Sequence, residues 1–142
     1  TTDFIFGAAT AIFRNCHIHS KKNSHVTAAS TPASVAYGFV FFNCKLTADT
    51  NVNKVSLGRP WRPASSVTYI NCSMGKHIIP EGWNNWKNPA NEATARYAEY
   101  NSSGEGASPA TRVPWSKQLT AEEMKQYNFK NIFGDWDPLS KQ

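Results

Sequence analysis

Acidic residues are scarce in this 142-residue chain: ten Asp plus Glu, against fifteen Lys plus Arg. No cluster of carboxylates stands out, so a calcium site built from acidic side chains has no local support. The resulting +5 charge suits an acidic partner, but the basic residues are scattered and do not by themselves indicate nucleic acid. No apolar run approaches the roughly 20 residues that span a bilayer. There is also no initiator Met and no basic-then-apolar signal segment. GxGxxG, the P-loop, GxSxG and HExxH are all missing, which removes local support for nucleotide, serine-hydrolase or zinc-protease chemistry. Cysteine is sparse and odd in number, three, with no CxxC and no Cys/His ligand spacing, so the sequence offers no zinc site.

What is present is enough to build a core. Hydrophobic residues make up 40% of the chain and charged ones 18%, which fits one folded domain, or part of one, and not a disordered tail. The opening Thr1-Thr2-Asp3-Phe4-Ile5-Phe6 reads like the middle of a strand, so a processed or truncated piece of a longer protein is expected.

The three cysteines carry most of the information. They stand at 16, 44 and 72, spaced 28 and 28 apart. Each follows an asparagine (Asn15, Asn43, Asn71) and lies three residues after an aromatic (Phe13, Phe41, Tyr69). Two residues after each comes Ile18, Leu46 or Met74. A fixed period of this length marks a stacked repeat. The units are short, β-branched and aromatic, and Gly, Pro, Ser and Asn clusters separate them, so they read as strands. A parallel β-helix fits, with each Asn supplying the left-handed backbone of a tight corner. The aromatics, the aliphatics and the cysteines would then stack in three columns, coil on coil, about 4.8 Å apart. The cysteines read as free, buried packing residues. The stacking distance would also permit a disulfide, and full thiol labelling only on unfolding would identify buried free thiols.

After Cys72 the repeat decays. Residues 77–101 read as long loops and 111–117 as a short extended piece. Thr120 with Glu123 forms a capping box, and Leu119 with Met124 a hydrophobic staple. A short helix over about 121–129 is expected, placed to cover the open end of the stack. Residues 134–138 close as a turn.

Two strings stand out as candidate chemistry. Asp3-Phe4-Ile5-Phe6-Gly7 sets a carboxylate against apolar residues. Leu57-Gly58-Arg59-Pro60-Trp61-Arg62 fixes an arginine between Gly and Pro, with a tryptophan two residues on. Asp3 lies 13 residues before Cys16, and Arg59 lies 13 before Cys72. They share a phase of the repeat two coils apart, roughly 9.6 Å, which the two side chains together nearly bridge. The pair reads either as a structural ion pair or as part of a carbohydrate site. In the second reading Trp61 packs on a sugar C–H face while the charges address carboxyl or ester groups. Trp83 and Trp86 either extend that surface or anchor loops. His17 and His19 share one side of a strand. They read as surface or packed residues more readily than as metal ligands, and so do His25 and His77.

DFIFG, the NC repeats, LGRPWR, EGWNNW and RVPWSKQLT together, in this order and over essentially the whole chain, resemble the C-terminal half of the pectin methylesterase (pectinesterase) catalytic domain. The resemblance implies an all-β, right-handed parallel β-helix, here about four coils with a short C-terminal helix and long loops. On it, residues 1–142 form the C-terminal part of a single domain.

It implies a carboxylic ester hydrolase that removes methyl groups from polygalacturonate, with no metal or organic cofactor. Asp3 matches the nucleophile and Arg59 the arginine that orients it. Trp61 matches the sugar-stacking tryptophan, and Phe6, with Arg59 beside it, completes the substrate-binding set. Strict strand alternation would put Phe6 on the opposite face from Asp3, and Gly7 is where a local departure is expected. The family's general acid and two glutamines belong to positions upstream of residue 1, so this chain alone is expected to be poorly soluble and close to inactive.

The implied partner is methyl-esterified pectin, with no nucleic acid and no membrane. A monomer is expected when full length. A polymer this large is met outside the cytoplasm, so a secreted or periplasmic location is expected. The alternative is a non-catalytic glycan-binding or structural β-helix.

Overall fold

A computed structural model describes residues 2–139. The strands are β1 (Ile5–Gly7), β2 (Ala11–Arg14), β3 (His17–Ser20), β4 (Ser24–Ala29), β5 (Phe39–Phe42), β6 (Lys45–Ala48), β7 (Val55–Gly58), β8 (Ser66–Ile70), β9 (Ser73–Met74), β10 (Arg96–Tyr100) and β11 (Lys117–Gln118). Two short helices follow, α1 (Ala121–Met124) and α2 (Phe129–Phe133). The strands form three parallel sheets, ordered β1-β4-β7, β2-β5-β8-β10-β11 and β3-β6-β9. This is a parallel β-helix. Of the four coils expected, three are complete. The fourth is drawn by β10 and by the single bridges Gly58↔Trp83 and Ser73↔Ser103.

The columns form as the period requires. Phe13 pairs in register with Phe41, and Phe41 with Tyr69. Their rings stack at 4.7 Å and 4.4 Å, tilted by only 13° and 6°. Ile18, Leu46 and Met74 form the second column. The three cysteines are free. Cys44 and Cys72 are buried, whereas Cys16, in the first coil, is half-buried. At the corners Asn15, Asn43 and Asn71 have φ of 57°, 54° and 54°. Each corner N–H donates to the next coil: Asn15 to Phe42 O (2.9 Å), Asn43 to Ile70 O (3.0 Å) and Asn71 to Tyr100 O (2.9 Å). Asparagine is there because the corner needs a left-handed residue, which a side chain with a local polar group tolerates best after glycine.

The repeat runs one step further than its cysteines. Residues 77–101 do contain loops, but Arg96–Tyr100 is strand, and Asn101 repeats the corner at φ 53°. Its side-chain amide donates to Asn71 Oδ1 at 2.9 Å. Glu99 takes the next place in the aromatic column, opposite Tyr69. Arg112 donates two hydrogen bonds to this buried carboxylate, Nε to Oε2 (2.8 Å) and Nη2 to Oε1 (3.2 Å). Arg112 also donates to Gly106 O at 2.7 Å. The expected extended piece over 111–117 shrinks to Lys117–Gln118, because Pro109–Thr111 is a 3-10 turn and Ser116 N–H folds back to Val113 O.

The capping box at Thr120 and Glu123 is present. The helix it starts ends at Met124, however, and does not run to 129. Asn128 turns extended (φ −127°, ψ 161°) and caps α2 through its side chain. Nor do the helices cover the end of the stack. Met124, Tyr127, Ile132 and Phe133 pack on Ile12, Val40, Phe42, Ile70 and Tyr100, the strand residues that alternate with the inward-facing aromatic column. The helices therefore seal the flank of the five-stranded sheet, whose outer face is itself apolar. The chain then turns at Gly134 (φ 64°) as expected, with Trp136 N–H donating to Phe133 O.

Candidate active site

Asp3 sits on a bend just ahead of β1, with φ 51°. Its N–H donates to His25 O on β4 at 2.8 Å, which fixes it to the second coil. Arg59 follows β7, on the third coil. Its N–H donates to Thr27 O (3.0 Å) and that of Trp61 to Ala29 O (2.9 Å). Pro60, which has no N–H, falls between these two donors, so the proline stiffens the segment without breaking its pairing. Gly58 is required by close approach, since a Cβ there would lie 2.1 Å from Thr27 Oγ1.

The guanidinium crosses the middle coil and grips the carboxylate. Nε donates to Asp3 Oδ1 at 3.0 Å and Nη2 to Oδ2 at 2.5 Å. Both side chains are largely buried, 25% and 19% exposed. Ala28, on the middle coil, pairs in register with Phe6 and lines the groove beside Asp3. The Arg59 Cζ lies 3.8 Å from the ring centroid of Trp86, a cation–π contact.

An open groove of about 370 Å³ lies here, lined by Asp3, Phe6, Ala28, Trp61 and Trp86. Phe6 is 65% exposed and Trp61 40%, and their rings meet edge to face at 6.0 Å. Phe6 shares the groove with Asp3 because the left-handed backbone at Asp3 resets the alternation. The backbone departs at Gly7 (φ 120°), as expected, and at Asp3 (φ 51°) as well.

Trp83 and Trp86 part company. Trp83 is buried in the core and stacks on Tyr97 at 4.2 Å, so it pins the loop. Trp86, at φ 61°, is thereby delivered to the groove. Its N–H donates to Asn84 Oδ1 at 2.7 Å, and the next, of Lys87, to Asn85 Oδ1 at 2.9 Å. The paired asparagines of EGWNNW were the available signal for this turn.

His25, set aside in the sequence as isolated, lies beside the pair. It is half-buried, and its Nδ1 meets Ser56 Oγ at 2.5 Å. Burial and then the Arg59 charge push its imidazole below the ordinary histidine value, and Asp3 partly offsets them. His17 and His19 do share a strand face, where both hydrogen-bond to Thr47 Oγ1 and His19 pairs with Asp49 at 2.8 Å. Among the described residues no three His, Cys, Asp or Glu side chains converge as a metal site, and no helix is long and apolar enough to cross a membrane.

The Pectinesterase family model matches residues 1–135. The chain belongs to the pectinesterase family. It is 39% identical over 140 residues to putative pectinesterase 11 of Arabidopsis thaliana, an alignment that covers 95% of this chain and 39% of the relative. Its fold superposes on carrot pectin methylesterase with a TM-score of 0.83 at 28% identity, covering 93% of this chain and 46% of that one. A pectin methylesterase mutant solved in complex with a hexasaccharide matches with a TM-score of 0.79 at 26% identity, over 99% of this chain and 49% of that one. The chain thus spans less than half the length of each of these pectinesterases.

Proposed function

We propose that this chain carries the nucleophile half of a pectin methylesterase active site. The observation that carries the reading is the two-pronged Asp3–Arg59 contact at the floor of a groove walled by Phe6, Trp61 and Trp86. A carboxylate oxygen of Asp3 attacks the C6 ester carbonyl of a methylated galacturonate. An O–C bond forms, the C–OCH3 bond breaks, and methanol leaves after taking a proton from an acid elsewhere in the site. Water then attacks the acyl carbonyl, the acyl–oxygen bond to Asp3 breaks, the water's second proton returns to the acid that had protonated methanol, and galacturonic acid leaves with Asp3 again a carboxylate. Arg59 holds both carboxylate oxygens and leaves their remaining lone pairs for attack, so it sets the direction of approach. Trp61 and Phe6 offer apolar ring faces to the C–H surfaces of neighbouring sugars.

The polymer is partly anionic, and the net +5 favours its approach. Because Asp3 and Arg59 come from one chain, a monomer suffices. A polymer this large is met outside the cytoplasm, which supports a secreted or periplasmic location. The acid and the oxyanion donors that the resemblance implies belong to a coil ahead of Asp3, so residues 1–142 alone are expected to turn over far more slowly than a chain that includes it.

The test is Asp3→Asn in the full-length protein. Methanol release from methylated pectin should vanish while hexagalacturonate still binds within a few-fold. Normal hydrolysis by this variant would remove Asp3 from the role of nucleophile. Trp61→Ala should weaken binding and hydrolysis together.

A further inference from the structure

We propose that His25 is a positioning residue for the Asp3–Arg59 pair, and that the pair is competent only while the His25 imidazole is neutral. The inference rests on the esterase reading above. His25 occupies the middle coil, between the coil that holds Asp3 and the coil that holds Arg59. Its carbonyl accepts the Asp3 N–H at 2.8 Å. Across the sheet it pairs in register with Ser56, three residues before Arg59. One residue thus touches the backbone of the nucleophile on one side and the strand that delivers the arginine on the other.

The side-chain chemistry makes this link sensitive to protonation. The Ser56 hydroxyl is buried, with two acceptors in reach: His25 Nδ1 at 2.5 Å and Gly58 O at 3.4 Å. With neutral His25 bearing its proton on Nε2, the serine donates to Nδ1. A proton on Nδ1 reverses that bond and turns the serine hydroxyl toward Gly58 O, the peptide next to Arg59. The same proton sets a second cation near Arg59, where it competes for the Asp3 carboxylate.

Two charged groups act on the imidazole: Asp3, from the bend ahead of β1, and Arg59, from the segment after β7. β8, which also contacts β4, brings Tyr69, whose hydroxyl is already committed to Leu57 O at 2.8 Å. Burial and Arg59 favour the neutral ring, so the working form is the one the fold already prefers.

The test has two arms in the full-length protein. In the first, kcat for methanol release is followed against pH for wild type and His25→Phe. Wild-type kcat should fall by about tenfold per pH unit below the histidine midpoint. His25→Phe, which removes the bond to Ser56, should lower the neutral plateau several-fold and lose that limb, with KM little changed. Superimposable profiles would overturn the proposal, and so would a uniform loss at every pH, which is the mark of a merely structural residue. In the second arm, NMR titration of the His25 ring needs no activity. Its midpoint should rise in Arg59→Gln and fall in Asp3→Asn, and a midpoint unmoved by both refutes the coupling. If Asp3→Asn still hydrolyses ester, the nucleophile assignment fails while the titration arm still decides whether His25 senses the pair.

Discussion

Arg59→Lys separates an arginine that aims the nucleophile from one that merely balances its charge. Lysine keeps the positive charge but loses the fork. Arginine makes two charge-assisted bonds to Asp3, at 3.0 and 2.5 Å, and its flat face lies on Trp86. An ammonium reaches at most one carboxylate oxygen as a point charge and does not stack flat. A hydrogen bond to a charged group contributes about 1.5–3 kcal/mol, and the pair is buried enough that solvent screening removes little of this. If the lost bond acts in the transition state, kcat drops by roughly 10- to 150-fold. The assay is initial-rate methanol release from methylated pectin, with unfolding midpoints recorded alongside. Stability should fall as well, by up to about 1.5–3 kcal/mol, so rates are compared at a temperature where both proteins are fully folded. A lysine variant within twofold of wild-type kcat would refute the idea that the fork directs attack.

Glu99→Ala leaves Arg112 buried without its carboxylate and should cost about 3–5 kcal/mol, read by denaturant melts. A loss below about 1 kcal/mol would contradict that origin. Asn43→Ala at φ 54° should cost about 1–2 kcal/mol, whereas Asn43→Gly should cost much less, because glycine enters the left-handed region freely. In residues 1–142, Cys16 should react with a thiol reagent before unfolding, slowly because burial and then the Cys44 thiol push its own thiol up. Cys44 and Cys72 should react only on unfolding, and three equally protected thiols would contradict the first-coil exposure. Ala28→Leu should put bulk into the groove beside Asp3 and cut kcat while leaving the fold intact, as circular dichroism would show.

The sequence was most legible where the same side chain recurs at the same phase. The Asn corners and the Phe13-Phe41-Tyr69 stack follow from the 28-residue period. The shared phase expected of Asp3 and Arg59 does not hold, because Asp3 lines up with His25 and, beyond it, Ser56, so that Arg59 stands three residues further along and reaches back with its long side chain. The fourth rung was hidden because Glu99 replaces an aromatic and Ser102 stands where a cysteine would. Only Tyr100-Asn101 still carried the pattern. Trp83 and Trp86 could not be told apart by residue type, since what separates them is a turn closed by Asn84 and Asn85. Phe6 lies between two positive-φ residues; Gly7 was legible, whereas an Asp at φ 51° leaves no mark in the composition. The helices were visible through Thr120 and Glu123. Their docking face was not, because it is decided by Val40 and Ile70, on the outer face of a sheet already accounted for by its inner one.

Trapping the acyl intermediate tests the account most directly. The full-length protein is mixed with methylated hexagalacturonate, quenched in acid within the first turnover, and digested for peptide mass measurement. The account predicts a galacturonyl adduct on the peptide that carries Asp3, absent in Asp3→Asn and depleted in Arg59→Lys. An adduct on a different residue, or a burst of methanol with no adduct at Asp3, would contradict it.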